Sequence, residues 1–291
     1  VGSNEFGQLG DGLTENTNSY RMILGSGVSR VISGHEHTII IKNDGSLWGV
    51  GSNEFGQLGL GTTENKSFFS EVTSDDVIQG EATSHTLFVK RDDSLWGMGK
   101  NSDGQLGIGS TADVLFPVEI ISSEIARVAT GGYHSLVLKK DGSLWTMGLN
   151  DKGQLGDGTN LARNLPVKIM DNGVSNISAG LHHSLILKTD GSLWGMGSNG
   201  EGQLGDGTNI DRNVPVEIID SKVMGISTGD NHSLVLKKDG SLWGMGSNLN
   251  GELGDESNLS KNTPFLIFKS DVTKVTAGEG YTHVIKDNGS L

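Results

Sequence analysis

The chain has 291 residues with 45 glycines, four prolines and no cysteine, and its formal net charge is −13. The missing cysteines exclude disulfides, zinc–thiolate centres and cysteine nucleophiles, and the acidic balance argues against a surface that tracks nucleic-acid phosphates. High glycine with little proline points to many tight turns rather than to a disordered linker, and no apolar run approaches the roughly 18 residues of a membrane span.

In chain order, the first recognisable element is VGSNEFGQLG at 1–10. It returns as the back half of GSLWGVGSNEFGQLG at 45–59. Related segments follow: DSLWGMGKNSDGQLG at 93–107, GSLWTMGLNDKGQLG at 142–156, GSLWGMGSNGEGQLG at 191–205 and GSLWGMGSNLNGELG at 240–254. Trp48, Trp96, Trp145, Trp194 and Trp243 are therefore spaced by 48, 49, 49 and 49 residues. The chain closes on NGSL, the front half of the same unit. Six copies are encoded, the sixth split across the termini, so residues 1–291 read as a single domain of repeats of about 49 residues. A fixed period near 50 marks a solenoid or a propeller. Because the chain begins with Val1 rather than Met, it is read as a fragment of a longer protein.

Each unit reads as four short strands, A to D. In the fifth, VMGIST (223–228) is strand A, HSLVLK strand B and SLWGMG strand C, with a Lys-Asp-Gly hairpin turn between B and C. A long Gly/Asn loop leads to strand D, as in PVEII (215–219) of the preceding unit. Strand B is apolar without alternation: Ile39-Ile40-Ile41, Leu136-Val137-Leu138, Leu185-Ile186-Leu187. A continuous apolar run expects cover on both faces, as between neighbouring blades. The strand C tryptophans are expected to be buried between blades. Pro117, Pro166, Pro215 and Pro264 are expected to open strand D as an outermost edge, since proline cannot donate to a ladder. The second unit departs from the others, with Asp92-Asp93 at the turn and QGEATSH at 79–85, and a less regular blade is expected there.

These residues carry a family resemblance. GGYHSLVLKKDGSLWTMGLNDKGQLG (131–156) resembles the repeat of the regulator of chromosome condensation family, G-x-x-H-S-L-x-L…D-G-x-x-x-x-W-G-x-N-x-x-G-Q-L-G. The resemblance covers the whole chain. It implies an all-β fold, a β-propeller of four-stranded blades: a six-bladed ring, or a seven-bladed ring truncated by a unit. It also implies binding or sensing roles on propeller faces, among them nucleotide exchange on a small GTPase, β-lactamase inhibition, ultraviolet sensing and ubiquitin-ligase interaction domains. The exchange factor uses an inserted wedge, for which a regular step of 48–49 leaves no room. The photoreceptor's G-W-R-H-T loop is GHEHT here at 34–38, without Trp or Arg.

Several motifs invite chemistry. Gly195-Met196-Gly197-Ser198-Asn199-Gly200 satisfies G-x-G-x-x-G, but no helical pattern follows it. His37, His85, His134, His183 and His232 recur in one column, with Tyr281 in the sixth slot. That period suggests one structural hydrogen bond per blade, and equivalent side chains around an axis are too far apart for one metal ion. His-Ser neighbours in a strand point to opposite faces and cannot act as nucleophile and base. GDGTN at 156–160 and 205–209 only loosely resembles a calcium loop and is read as a turn. Lys42, Lys90, Lys139, Lys188, Lys237 and Lys286 are read as solubilising residues beside the hairpin turn. No catalytic residue, metal or cofactor is assigned.

The variable positions lie in the A–B and C–D loops, which share one face of such a disc. The A–B loops offer His35, Glu36, Tyr133, Leu181, His182, Asp230 and Asn231. The C–D tips offer Glu5, Phe6, Glu54, Phe55, Asp103, Asp151, Lys152, Glu201, Leu249 and Asn250. Variable loops on a rigid repeated frame are the usual layout of a binding surface. An acidic face on which Phe6, Phe55, Tyr133 and Leu249 are expected to be exposed suits a protein partner of basic character. The expectation is a monomeric, non-catalytic protein-binding scaffold with no nucleic-acid or membrane-inserting role. The alternatives are a Ca²⁺-binding or enzymatic propeller using the acidic C–D loops, and the disfavoured exchange factor. The near-identity of the units suggests recent amplification, as in a bacterial array, with a lean toward a secreted or cell-surface location.

Overall fold

A computed structural model describes all 291 residues, and it contains strands but no helix. Five four-stranded antiparallel sheets follow one another along the chain, each with its strands paired in sequence order. Blade 3 is representative: strand A is Ile125–Thr130, B His134–Lys139, C Leu144–Gly148 and D Arg163–Met170. Blade 1 spans residues 28–73, blade 2 77–121, blade 4 174–219 and blade 5 223–268. The sixth unit does not complete a sheet. Val272–Ala277 and Thr282–Lys286 form a two-stranded ribbon, and residues 1–27 hold a single bridge, Gly2 to Thr17. No ladder joins these two pieces, so the split repeat is not assembled into a sixth four-stranded blade.

The B–C turn follows from its residues. In blade 3, Gly142 adopts φ +80 and donates to the Lys139 carbonyl, and Lys139 donates to the Ser143 carbonyl. In blade 2 the same position is Asp93, at φ +65. Asp tolerates the left-handed region better than most residues, and here its carboxylate also takes an ion pair from Lys140. The expectation of an irregular second blade is therefore corrected, for this blade is a full four-stranded sheet with the common register.

The core lies between blades, not within them. Ile39, Ile41 and Leu47 of blade 1 cluster with Val77, Phe88 and Met98 of blade 2. Leu87, Val89 and Leu95, on the other face of blade 2, cluster with Ile125, Val128, Val137 and Met147 of blade 3. Alternate residues of strand B thus serve opposite neighbours, which is why its apolar run has no polar face. A blade alone would leave both faces wet.

Two expectations about strands C and D are corrected. Trp96, Trp145, Trp194 and Trp243 pack against the inter-blade clusters, and all five tryptophans are half-buried. Each indole N–H donates to a serine two residues upstream, as Trp194 does to Ser192 at 3.0 Å. A polar group that needs a partner keeps one edge of the ring at the rim. The prolines stand fourth in strand D, not first: Pro166 lies within Arg163–Met170, inside the register shift between Thr146 and Gly148 of its partner strand. A bulge on an edge strand has no ladder bond at that point, so the missing N–H costs nothing.

Candidate protein-binding face

The C–D loops are built around a buried asparagine. Asn150 accepts the Leu155 N–H at 2.9 Å and donates to Asp157 at 3.0 Å, Thr159 O at 3.0 Å and Leu161 O at 3.2 Å. Asn53, Asn101, Asn199 and Asn248 make the matching bond to Leu58, Leu106, Leu204 and Leu253. The carboxamide, with both acceptor and donors, fastens a long loop at several points and holds its tip outward. The loop then presses on the next blade. A Cβ added at Gly153 (φ +82) would fall 2.4 Å from the Cα of Asn213 in blade 4.

The histidine column forms a second inter-blade tie. His134 Nε2 lies 2.8 Å from Ser184 Oγ of the following blade, and Ser184 donates to the Gln154 carbonyl at 2.9 Å. The same arrangement joins His85 to Ser135, His183 to Ser233, His37 to Thr86 and His232 to Thr282. Each hydroxyl spends its one proton on a carbonyl, so the imidazole must be the donor at Nε2. Burial pushes His37, His85, His134 and His183 down to about 3, and His232 is also lowered. These rings are neutral, and none faces another in a metal-ligating cluster.

The lysine column has a role that the sequence reading missed. Lys42 Nζ sits 3.4 Å from the Trp48 ring centroid, Lys90 3.7 Å from Trp96, Lys188 3.7 Å from Trp194 and Lys237 4.3 Å from Trp243. Lysine and indole are separated by the hairpin turn, so the shared period was the only sequence signal.

On the A–B/C–D face, the structure gathers four of the expected residues from three blades. Tyr133 of blade 3 stacks on His182 of blade 4, with ring centroids 5.2 Å apart and planes at 27°. His182 Nδ1 lies 3.8 Å from Asp151 Oδ1. Lys100 of blade 2 places Nζ 5.0 Å from the Tyr133 ring and 5.2 Å from the Phe55 ring of blade 1. Phe55–Lys100–Tyr133–His182–Asp151 thus runs across four blades. Lys100 was not among the expected residues. It stands where the other units have Ser3, Ser52, Leu149, Ser198 and Ser247, and that substitution was the available signal.

The remaining candidates are placed separately. Glu5, His35, Glu36, Glu54, Lys152 and Asn250 are exposed. Asp103 is half-buried beside Ser102, Leu181 covers Gly132, and Glu201 accepts from Ser260 at 2.9 Å. The Asn231 carbonyl accepts the Ser247 N–H. Asp230 is half-buried, and burial followed by the nearby Glu279 raises its carboxyl above the ordinary value. Phe6, Phe55 and Tyr133 are half-buried rather than exposed, and the Phe55 and Tyr133 rings lie against Lys100 and His182. Leu249 does project, at 62% exposure.

The strand A residues of all six units line a central cavity of about 1110 Å³. Glu81 faces it between Arg30 and Arg127. Crowding by protein pushes its carboxyl up, against the pull of both arginines. Away from the cavity, in the C–D loops, Asp157, Asp206 and Asp255 are turned toward the first residue of strand D. Burial works to raise Asp157 and Asp206, but Thr159 with Arg163, and Thr208 with Arg212, hold them below the usual carboxylate range. Lys261 and Ser257 do the same for Asp255. These carboxylates are spent on the chain's own cations and hydroxyls, not presented as an open oxygen cage of the kind calcium takes.

The family model described as the regulator of chromosome condensation (RCC1) repeat matches residues 44–79, 92–138, 141–187, 190–236 and 239–285. A second model of the same repeat matches 28–57, 125–154, 174–203 and 225–252. A sequence search of curated proteins found no match. Among solved structures, human WBSCR16 is similar with a TM-score of 0.79 at 22% identity, over 89% of this chain and 72% of that one. Yeast RCC1 (Prp20) bound to Kap60 gives 0.76 at 20% identity, over 90% and 68%. Prp20p from Saccharomyces cerevisiae, in a study that includes its binding to Gsp1p and histones, gives 0.64 at 19% identity, over 99% and 91%.

Proposed function

This chain belongs to the regulator of chromosome condensation repeat family, and from that premise we propose that it is a non-catalytic protein-binding scaffold whose A–B/C–D face takes a partner of basic character. One observation carries the reading: residues from four blades converge on a single patch, Phe55 to Asp151, amid exposed Glu36 and Glu54. Half-buried aromatic rings within a polar, acidic surround are the composition of an interaction hot spot. The yeast structures add support by analogy, since one was solved with Kap60 and the other study names Gsp1p and histones as binding partners.

The test starts with capture of a partner and ends with purified components. Reversing charge with Glu54→Lys and Asp103→Lys is expected to weaken partner binding roughly tenfold or more in low salt, chiefly through the association rate. The melting temperature is expected to change little, since Glu54 is exposed and Asp103 only half-buried, without an ion pair. Unaltered affinity in both variants would remove this face from the account. The exchange-factor role allowed by the family is the second reading. It predicts faster release of nucleotide from a small GTPase, and it lacks the inserted wedge. For the cation-binding alternative, Asp157, Asp206 and Asp255 are already paired with Arg163, Arg212 and Lys261. Neither millimolar Ca²⁺ nor EDTA is expected to move the melting temperature, and a rise with Ca²⁺ would reinstate it.

A further inference from the structure

Lys100 stands out in the patch as the cation lying between two aromatic rings of other blades. Its Nζ is 5.2 Å from the Phe55 centroid and 5.0 Å from the Tyr133 centroid. Both distances are within the range where an ammonium is held by a ring's negative face. The two rings come from a C–D tip of blade 1 and an A–B loop of blade 3, so the gap between them is set by blade spacing and not by Lys100. No salt bridge or side-chain hydrogen bond ties the Lys100 head group to a carboxylate, although Lys90, Lys140 and Lys168 all have such partners. The chain thus keeps a half-buried lysine parked over two rings on a face whose other C–D tips are mostly acidic.

We infer that Phe55 and Tyr133 form a pocket for a cationic side chain of the partner, and that Lys100 is its resident occupant, displaced on binding. The inference rests on the proposed face but not on any particular partner. The resident ammonium shows that the gap accepts a cation. Glu54 flanks one ring, and its carboxylate would favour an incoming lysine or arginine. A long unbranched lysine can swing to solvent while leaving its backbone in place, which makes it a displaceable plug. An incoming arginine would add its planar face to the rings.

The pocket can be tested without the partner by titrating tetramethylammonium chloride into the protein, with sodium chloride as control, and following the aromatic proton signals of Phe55 and Tyr133. Lys100→Ser installs the residue used at this position by four other units. It is expected to tighten tetramethylammonium binding about fivefold, the effect of removing a competing resident ammonium held loosely over both rings. Adding Phe55→Ala to that variant is expected to abolish the gain. Should Phe55→Ala unfold the blade, Tyr133→Leu keeps the bulk, removes the second ring face and must likewise abolish the gain. Absence of any gain in Lys100→Ser, or a gain that survives loss of either ring, would overturn the inference. Because the probe is a small ion, failure of the wider protein-binding reading would show separately, as charge-reversal variants that leave partner affinity intact.

Discussion

Lowering the pH from about 7.5 to about 5 is expected to remove most of the folding stability, with the urea midpoint falling steeply below pH 6.5. The histidine column is the cause. His37, His85, His134 and His183 are pushed down to about 3 from an ordinary 6.5. Above pH 6.5 both folded and unfolded chains carry neutral rings, and the contribution is complete. Below it the unfolded chain takes up protons that the folded chain refuses, so stability drops until the folded value is reached. At pH 5 each such ring costs roughly 2 kcal/mol, and four cost about 8 kcal/mol. That rivals a typical domain's whole stability of about 5–15 kcal/mol.

The structure explains why the folded rings refuse the proton. Nε2 already donates to a hydroxyl, and a second N–H at Nδ1 would meet no acceptor in His37, His134 or His183. Glu81 works in the opposite sense, since its raised carboxyl favours the folded state as pH falls. It is one group lining the central cavity against four in the dry interior. Asp44, Asp141, Asp190 and Asp239 are lowered by their Ser hydrogen bonds, so their contribution is lost only below the ordinary carboxylate range. Across pH 6.5 to 5 the four histidines therefore set the sign, opposed by Glu81 and Asp230, whose raised carboxyls offset part of the loss. A midpoint that holds steady across that interval would show that the rings are not sealed from water.

Asn150→Ala is expected to destabilise the protein by roughly 3–5 kcal/mol, the cost of leaving several buried backbone and side-chain groups without partners. The variant orphans the Leu155 N–H and the Thr159 and Leu161 carbonyls, and it takes one donor from Asp157, which keeps Thr159 and Arg163. Chemical denaturation gives the size of the loss. Amide exchange gives its location, which should be residues 149–162 and the facing strand D of blade 4. A loss under about 1 kcal/mol would mean that the loop is held by its contacts with the next blade, not by the asparagine. The same loop presents Asp151, so partner binding should weaken together with stability in this variant, in contrast to the surface charge reversals.

Much of the frame was legible because each unit writes its strands locally. The Asp-Gly turn, the unbroken apolar strand B and the fixed 49-residue step all report on neighbours within a few residues or one period. The details that went wrong concern positions where a residue serves a distant partner. Tryptophan was expected to be buried, yet its N–H needs Ser and its face carries Lys, which keeps it at the rim. Proline was expected at a strand's first residue, yet the bulge tolerates it in the fourth. The second blade was expected to be irregular, yet Asp93 adopts the glycine's backbone geometry and Thr83 donates to Gly131 O at 2.8 Å across the blade boundary.

The repeated frame, its period and the side of the disc that varies were determined by the sequence itself, because hairpins and strand faces depend on short-range order. Only the tertiary structure decided which variable residues meet. Phe55, Lys100, Tyr133 and His182 are separated by 33 to 49 positions along the chain, and no local pattern links them. They become neighbours because inter-blade packing sets the gap between loops, and that packing belongs to pairs of blades, not to any one repeat.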